Sequence, residues 1–417
     1  MAIAVTPPRG MRDFLPADKA IRERSLGIIR ESFRAHGFDE IETPVMEDSA
    51  RLHSGLGGDN EKLAFAVLKR GLSAADIAVA AAHDDLLSLA DLGLRFDLTV
   101  PLARFYATHR AALPTVFRSI QIAPVWRAER PQKGRYRQFM QCDIDIIGEA
   151  GALAEIELIT ATAATLDQLG LTGCSIRIND RRILSALLAH WGVTSELTER
   201  ALIVIDKLDK IGVDGVATEL GTLGIDAPDL AALLTELGTG GWALGDSAPA
   251  WLDPAAFADL TALRAALPGV DLVFDPTLVR GMGYYTGTIF EISHPDLAYS
   301  LGGGGRYDGM IGRFLGTDVP ACGFSIGFER IVDLLEADAA SALNAVVLVH
   351  EKDADLAGLV ALKRDLVAGG LRVRLERRTK NLKALLDRAG EAGYGRFAFV
   401  TADTQAAADL DFKPLGA

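Results

Sequence analysis

Residues 125–147, VWRAERPQKGRYRQFMQCDIDII, contain the end of one apolar run, a charged loop and the whole of a second apolar run. The first run, TVFRSIQIAPVWR (115–127), and the second, YRQFMQCDIDII (136–147), are both rich in aromatic and β-branched residues, so each reads as a strand. Between them AERPQKGR (128–135) is charged and holds Pro and Gly, which makes it an exposed loop. Along the second strand the two-residue period puts Phe139, Gln141, Asp143 and Asp145 on one face. Met140, Cys142, Ile144 and Ile146 take the other face.

The same period in LRFDLTV (94–100) places Arg95, Asp97 and Thr99 opposite Phe96, Leu98 and Val100. Two strands that each carry carboxylates beside amide or hydroxyl groups suit a ligand with an ammonium and a polar ring. They equally describe the wet side of ordinary half-exposed strands. The loop and its flanks add Arg127, Glu129, Arg130, Lys133, Arg135 and Arg137. Guanidinium groups offer a planar fork that matches phosphate and carboxylate oxygens. A cationic loop beside an acidic face points to a zwitterion next to a polyphosphate, or to a plain basic surface loop. Gly302–Gly305 would let a backbone approach a ligand closely. There is no GxxxxGK[ST] phosphate loop and no readable Ser/His/Asp nucleophile set.

Farther out, residues 17–36 place Ile21, Ser25, Ile28, Ile29 and Phe33 at helical spacing before Gly37. FDEIETPV (38–45) is extended, with Pro44 suited to an edge. Residues 151–169 return to helical periodicity, and 176–270 become Leu/Ala-rich helical segments broken by Gly and Pro, which reads as an insertion. Strand-like sequence resumes at LVFDPTLVRGMGYYTGTIFEI (272–292), followed by SLGGGGRYDG (300–309) and ACGFSIGFERIVDLL (321–335). The end of the chain alternates strand and helix as a small α/β domain.

Of the 417 residues, 49% are hydrophobic and 24% charged, enough for two or three packed domains. No apolar run is long enough for a membrane span. The opening MAIAVTPPRGMRDF lacks a basic segment followed by an apolar one, and Cys142, Cys174 and Cys322 are scattered, so a cytoplasmic location and no metal-binding cysteine set are expected. The net charge of −13 argues against nucleic-acid binding by the whole surface. Residues 341–417 differ, with 12 Lys and Arg against 10 Asp and Glu. There Arg372, Arg374, Arg377, Arg378, Lys380 and Lys383 are opposed only by Glu376, as a solvated face or a small RNA-contacting patch.

Taken in order, these segments resemble the histidyl-tRNA synthetases among the class II aminoacyl-tRNA synthetases. GFDEIETPVME is similar to the family's first motif, VWRAERPQKGRYRQFMQCDID to its second and CGFSIGFER to its third. LRFDLTVPLAR, LVRGMGYYTGTIFE and LGGGGRYDG resemble the segments that set the histidine enzyme apart from its relatives. The resemblance implies an α+β fold: an antiparallel catalytic sheet flanked by helices over 1–175 and 271–335, a helical insertion at 176–270, and a C-terminal α/β domain at 341–417 for anticodon binding. It implies that Asp97, Thr99 and Gln141 hold the α-ammonium of L-histidine, and that Asp145 and Tyr284 meet the imidazole, with Tyr285 and Gly303 lining the pocket. Arg127 would bridge the carboxylate and the α-phosphate of ATP, with Glu129, Arg135 and Arg330 on the nucleotide. Arg280 would be the second catalytic cation. Mg²⁺, tRNA(His) and a homodimer through the first motif are implied partners, with no metal ligands of the protein's own. The alternative is a catalytically silent, histidine-sensing regulatory paralogue of ATP phosphoribosyltransferase. The chain departs from the common bacterial pattern at Gly283, Asp97 and Asp145, and in a long segment at 62–93.

Overall fold

The computed structural model describes residues 5–54, 62–132, 134–225, 234–235, 244, 251–280, 284–297, 299–335 and 344–415. Lys133 and Gly283 lie outside them. The chain divides into two compact units, Met1–Arg12 with Leu26–Asp333, and Asp13–Ser25 with Leu334–Ala417.

In the first unit the strands are β1 (Asp39–Glu40), β2 (Met46–Asp48), β3 (Phe65–Leu68), β4 (Ala90–Leu94), β5 (Phe117–Trp126), β6 (Gln138–Ile147), β7 (Ser175–Asp180), β8 (Leu272–Phe274), β9 (Thr288–Ser293), β10 (Gly302–Arg306) and β11 (Ala321–Ile326). Eight of them form one sheet in the order β1-β5-β6-β11-β10-β9-β7-β8. The six middle strands pair antiparallel, while β1 and β8 join the two edges in parallel. A smaller antiparallel sheet, β2-β4-β3, stands apart.

The alternation read along 138–147 sets which face is dry. Cys142, Ile144 and Ile146 are fully buried, and the helix Leu153–Gln168 packs over β6 and β11 with Ala154, Leu158, Ile159 and Ala161 inward. Each buried isoleucine stabilises the fold by about 1.5–3 kcal/mol, so a one-residue slip of β6, which would turn this row to the wet side, is strongly disfavoured.

Three expectations change. LRFDLTV is not a strand: β4 ends at Leu94 and the helix Thr99–His109 begins five residues later. Pro101 lies in that helix's first turn, where a missing amide hydrogen costs nothing, and the Asp97 carboxylate accepts the Val100 amide at 3.2 Å. The polar group at 95–99 therefore arises from a turn into a helix. Secondly, residues 175–180 are β7, paired antiparallel with β9 inside the large sheet, so the helical segment starts at Arg181 rather than 176. Its Leu184, Leu188, Leu202 and Leu220 form one core with Leu278 and Ile289. Thirdly, Gly302–Gly305 is a central strand, and Arg280 lies between β8 and β9 rather than on a strand.

The second unit carries the alternation expected of the tail. Strands β12 (Ala345–His350), β13 (Arg372–Arg377), β14 (Arg396–Val400) and β15 (Lys413–Pro414) form a sheet in the order β13-β12-β14-β15. Helices Leu356–Ala368 and Leu382–Glu391 are capped by Asp355 and Asn381. Among the described residues no helix is long and apolar enough to cross a membrane.

Candidate active site

The wet face of β6 opens onto a cavity of 460 Å³. Asp97, Thr99, Arg127, Glu129, Arg135, Gln141, Asp145, Arg280, Tyr284, Tyr285, Gly303 and Arg330 all line it. The sequence-predicted residues, drawn from both sides of the helical segment, thus meet in one place. Arg95 does not join them. Its guanidinium is spent on the Thr43 carbonyl at 2.7 Å and the Pro124 carbonyl at 3.0 Å.

Strand β11 lies opposite β6, with Gly323 facing Asp145 and Ser325 facing Asp143. The Ser325 hydroxyl donates to Asp143, as does the Gln141 amide at 3.1 Å. The Tyr307 hydroxyl donates to Asp145 at 2.6 Å. Residue 323 must be glycine for that contact, because a Cβ there would stand 2.0 Å from the Asp145 Oδ1. Burial, more than any neighbour, raises both carboxyls: Asp145 to about 7, and Asp143 well above its ordinary 3.8. The Asp97 charge adds to both shifts, and the Tyr307 hydrogen bond opposes that of Asp145. The Gln141 Oε1 is buried with no hydrogen-bond partner, an acceptor directed at a donor the protein does not supply.

The cations are held from outside the cavity. Arg127 follows β5, donates its Nε to the Phe96 carbonyl at 2.8 Å, and its amide to the Arg137 carbonyl at 2.9 Å. Its guanidinium lies 5.1 Å from the Phe139 ring centre. Arg280 uses one nitrogen, Nη1, for the Glu291 carboxylate at 2.8 Å, the Gly302 carbonyl at 2.9 Å and the Ser300 hydroxyl at 3.2 Å. Glu291 also pairs with Arg177 at 3.1 Å. A Cβ at Gly303 would stand 2.1 Å from Nη1, so the glycine strand makes the slot in which Arg280 rests. Arg330 donates to the Ser300 carbonyl. Burial, then the Arg135 and Arg280 charges, lower its basicity. Tyr284 and Tyr285 sit 4.4 Å apart between centroids, both hydroxyls pushed up by burial.

Sequence reasoning did not assign Asp143, Glu291, Ser300, Tyr307, Ser325 or Glu329 to the site. The alternation along β6 placed Asp143 on the correct face; the others depend on partners far along the chain.

A cavity lined by both carboxylates and guanidinium groups, set on a largely antiparallel sheet, has the chemistry of a ligase-type site. The comparisons with known proteins agree. The histidyl-tRNA synthetase family model matches residues 10–331. A histidine–tRNA ligase of Leifsonia xyli is 65% identical over all of this chain and 99% of its own, and a probable histidine–tRNA ligase of Tropheryma whipplei is 43% identical over 95% and 96%. The solved histidyl-tRNA synthetase of Nostoc shares the fold, with a TM-score of 0.77, 24% identity and coverage of 99% of this chain and 95% of its own. The chain belongs to the histidyl-tRNA synthetase family. A Bacillus halodurans structure, described as an ATP phosphoribosyltransferase regulatory subunit/histidyl-tRNA synthetase, also shares the fold at 22% identity and a TM-score of 0.73, over 96% of this chain and all of its own. The regulatory reading is not favoured, since the ligase relative at 65% identity spans the whole chain.

Proposed function

We infer that the chain is a histidine–tRNA ligase, which forms histidyl-adenylate from L-histidine and ATP and transfers the histidyl group to the 3′ end of tRNA(His). The observation that carries this reading is the single cavity lined both by Asp97, Asp143 and Asp145 and by Arg127, Arg135, Arg280 and Arg330. Asp97, Thr99 and Gln141 hold the α-ammonium, which satisfies the partnerless Gln141 Oε1. Asp145, fixed by Tyr307, and Tyr284 take the imidazole nitrogens, with Tyr285 and Gly303 closing the pocket. A side chain lacking those nitrogens leaves buried partners unpaired, which is how such a pocket selects.

The histidine carboxylate attacks the α-phosphorus, a P–O bond forms, and pyrophosphate leaves with the electrons of the broken P–O bond. Positioning and fixed positive charge lower this barrier without a covalent nucleophile. Arg127 bridges the carboxylate and the α-phosphate, Arg280 adds the second cation there, and Glu129, Arg135 and Arg330 place the nucleotide. Mg²⁺ arriving with the nucleotide would supply charge neutralisation on the phosphates, and Glu129 on the cavity wall would be the carboxylate able to meet it.

The catalytic unit is proposed to comprise 1–180 and 271–335, with the helical insertion between, and 341–417 to contact the anticodon. In the tail Arg372 and Arg374 stack on Tyr394 at 4.5 and 4.6 Å. A cytoplasmic homodimer is proposed through the first-motif segment, where Val45 and Met46 are 42% and 46% exposed. Charging of a tRNA(His) transcript with labelled histidine tests the transfer step. Full charging supports the assignment, and adenylate formation without charging contradicts it.

A further inference from the structure

The segment Pro8–Arg12 has no part in the roles above, yet it touches residues that line the cavity. Gly10 has φ +82°, in the left-handed region that favours glycine. Its carbonyl accepts the Arg137 amide at 2.8 Å, and a Cβ would stand 2.7 Å from Pro131 and 2.8 Å from Arg137. The backbone at residue 10 therefore lies directly against the base of the 128–137 loop. Two residues on, the Arg12 guanidinium stacks on the Tyr136 ring, 3.4 Å from its centre. The same group donates to the Glu329 carboxylate, whose other oxygen accepts the Met140 amide at 3.0 Å. Tyr136, Met140 and Glu329 all line the cavity, and Glu329 immediately precedes Arg330 in the short helix Phe328–Val332.

One guanidinium thus joins the loop carrying Glu129 and Arg135, the start of β6, and the helix carrying Arg330. We propose that Arg12 is a positioning residue for the nucleotide half of the reaction, and that the N-terminal segment is a strap holding the loop and the Arg330 helix in register. This role rests on the ligase reading. Stacking and ion pairing together fix the guanidinium in direction as well as place, which a flexible ammonium cannot do. The histidine end is held by other contacts, from Tyr307 to Asp145 and from Ser325 and Gln141 to Asp143. Loss of the strap should therefore act on one substrate and not the other.

The test is pyrophosphate exchange on the full chain with ATP and histidine varied separately, alongside histidine affinity by calorimetry without ATP. Arg12→Met is expected to raise KM for ATP about tenfold, the effect of one lost stacked ion pair, with histidine affinity unchanged. Arg12→Lys should recover part of the loss, since it restores charge without the flat stack. Tyr136→Leu removes the stack and leaves the Glu329 pair, and decides the matter if Arg12→Met does not fold. It should shift KM for ATP in the same direction by less. Equal changes in both KM values, or a lower melting temperature with both unchanged, would overturn the proposal. Wild-type protein without histidine-dependent exchange would instead defeat the ligase reading beneath it.

Discussion

Arg280 and Gly303 occupy a single slot: the guanidinium Nη1 lies where a side chain at 303 would begin, 2.1 Å from the position of a Cβ. Glu291, directly opposite Gly303 in the sheet, closes the slot with a 2.8 Å bond. The glycine strand is thus a seat for a cation. Gly303→Ala must displace Arg280, and the same Cβ would press on the Phe290 backbone carbonyl at 2.7 Å, so some loss of stability should accompany the loss of aim. Pyrophosphate exchange is expected to fall about 10²-fold or more, as for loss of one charge-stabilising donor. A melting curve distinguishes this from unfolding, and wild-type exchange by the variant would show that Arg280 needs no fixed aim.

Arg280→Ala removes the cation altogether. Loss of about 10²–10³ in kcat for adenylate formation is expected, with histidine affinity nearly intact, since the group acts on charge that develops at phosphorus. Single-turnover adenylate formation reads this directly. A variant that instead weakens histidine binding, with an unchanged rate at saturation, would move Arg280 out of catalysis.

Asp145 sets a pH dependence with two opposed signs. Its carboxyl is raised from 3.8 to about 7 in the fold, chiefly by burial, so the folded protein binds this proton more tightly than the unfolded chain. Stability is then favoured below pH 4 and decreases as pH rises from about 4 to 7, by up to about 1.4 kcal/mol per pH unit. Over the upper part of that range the ionised carboxylate needed to accept an imidazole N–H appears, so KM for histidine should fall from pH 6 to 8. Asp145→Asn should flatten the stability slope. Denaturant unfolding at a series of pH values checks this, and parallel curves for the two proteins would refute it.

Tyr307→Phe deletes the 2.6 Å donor to Asp145 while keeping the ring. A buried carboxylate deprived of a partner costs about 1–3 kcal/mol, and the carboxyl should titrate still higher. KM for histidine should rise at pH 7 and recover part of the way at pH 8.5, which steady-state exchange at the two pH values measures. A KM that does not change with pH would separate Tyr307 from the imidazole.

Much of this site was legible because β6 packs one face into the apolar core and turns the other to the cavity. Its period of two carries Gln141, Asp143 and Asp145 to one side. The same rule failed at 94–100, where Pro101 and the bond from the Val100 amide to Asp97 accompany a turn into a helix, and local alternation cannot reveal a turn that begins within its own window. Nor could it place residues whose meaning is their partner. Tyr307 finds Asp145 across 162 positions and Arg12 finds Glu329 across 317. The four glycines were readable as a close approach, but not as the seat of Arg280, because that neighbour comes from a separate irregular segment.

The central claim is that the acidic wall selects histidine and the guanidinium groups drive its carboxylate onto ATP. ATP–pyrophosphate exchange, run on the full chain with each of the protein amino acids in turn, tests it most directly. Exchange with histidine alone is the expected result. Exchange with another amino acid, or none at all while histidine still binds, would contradict it.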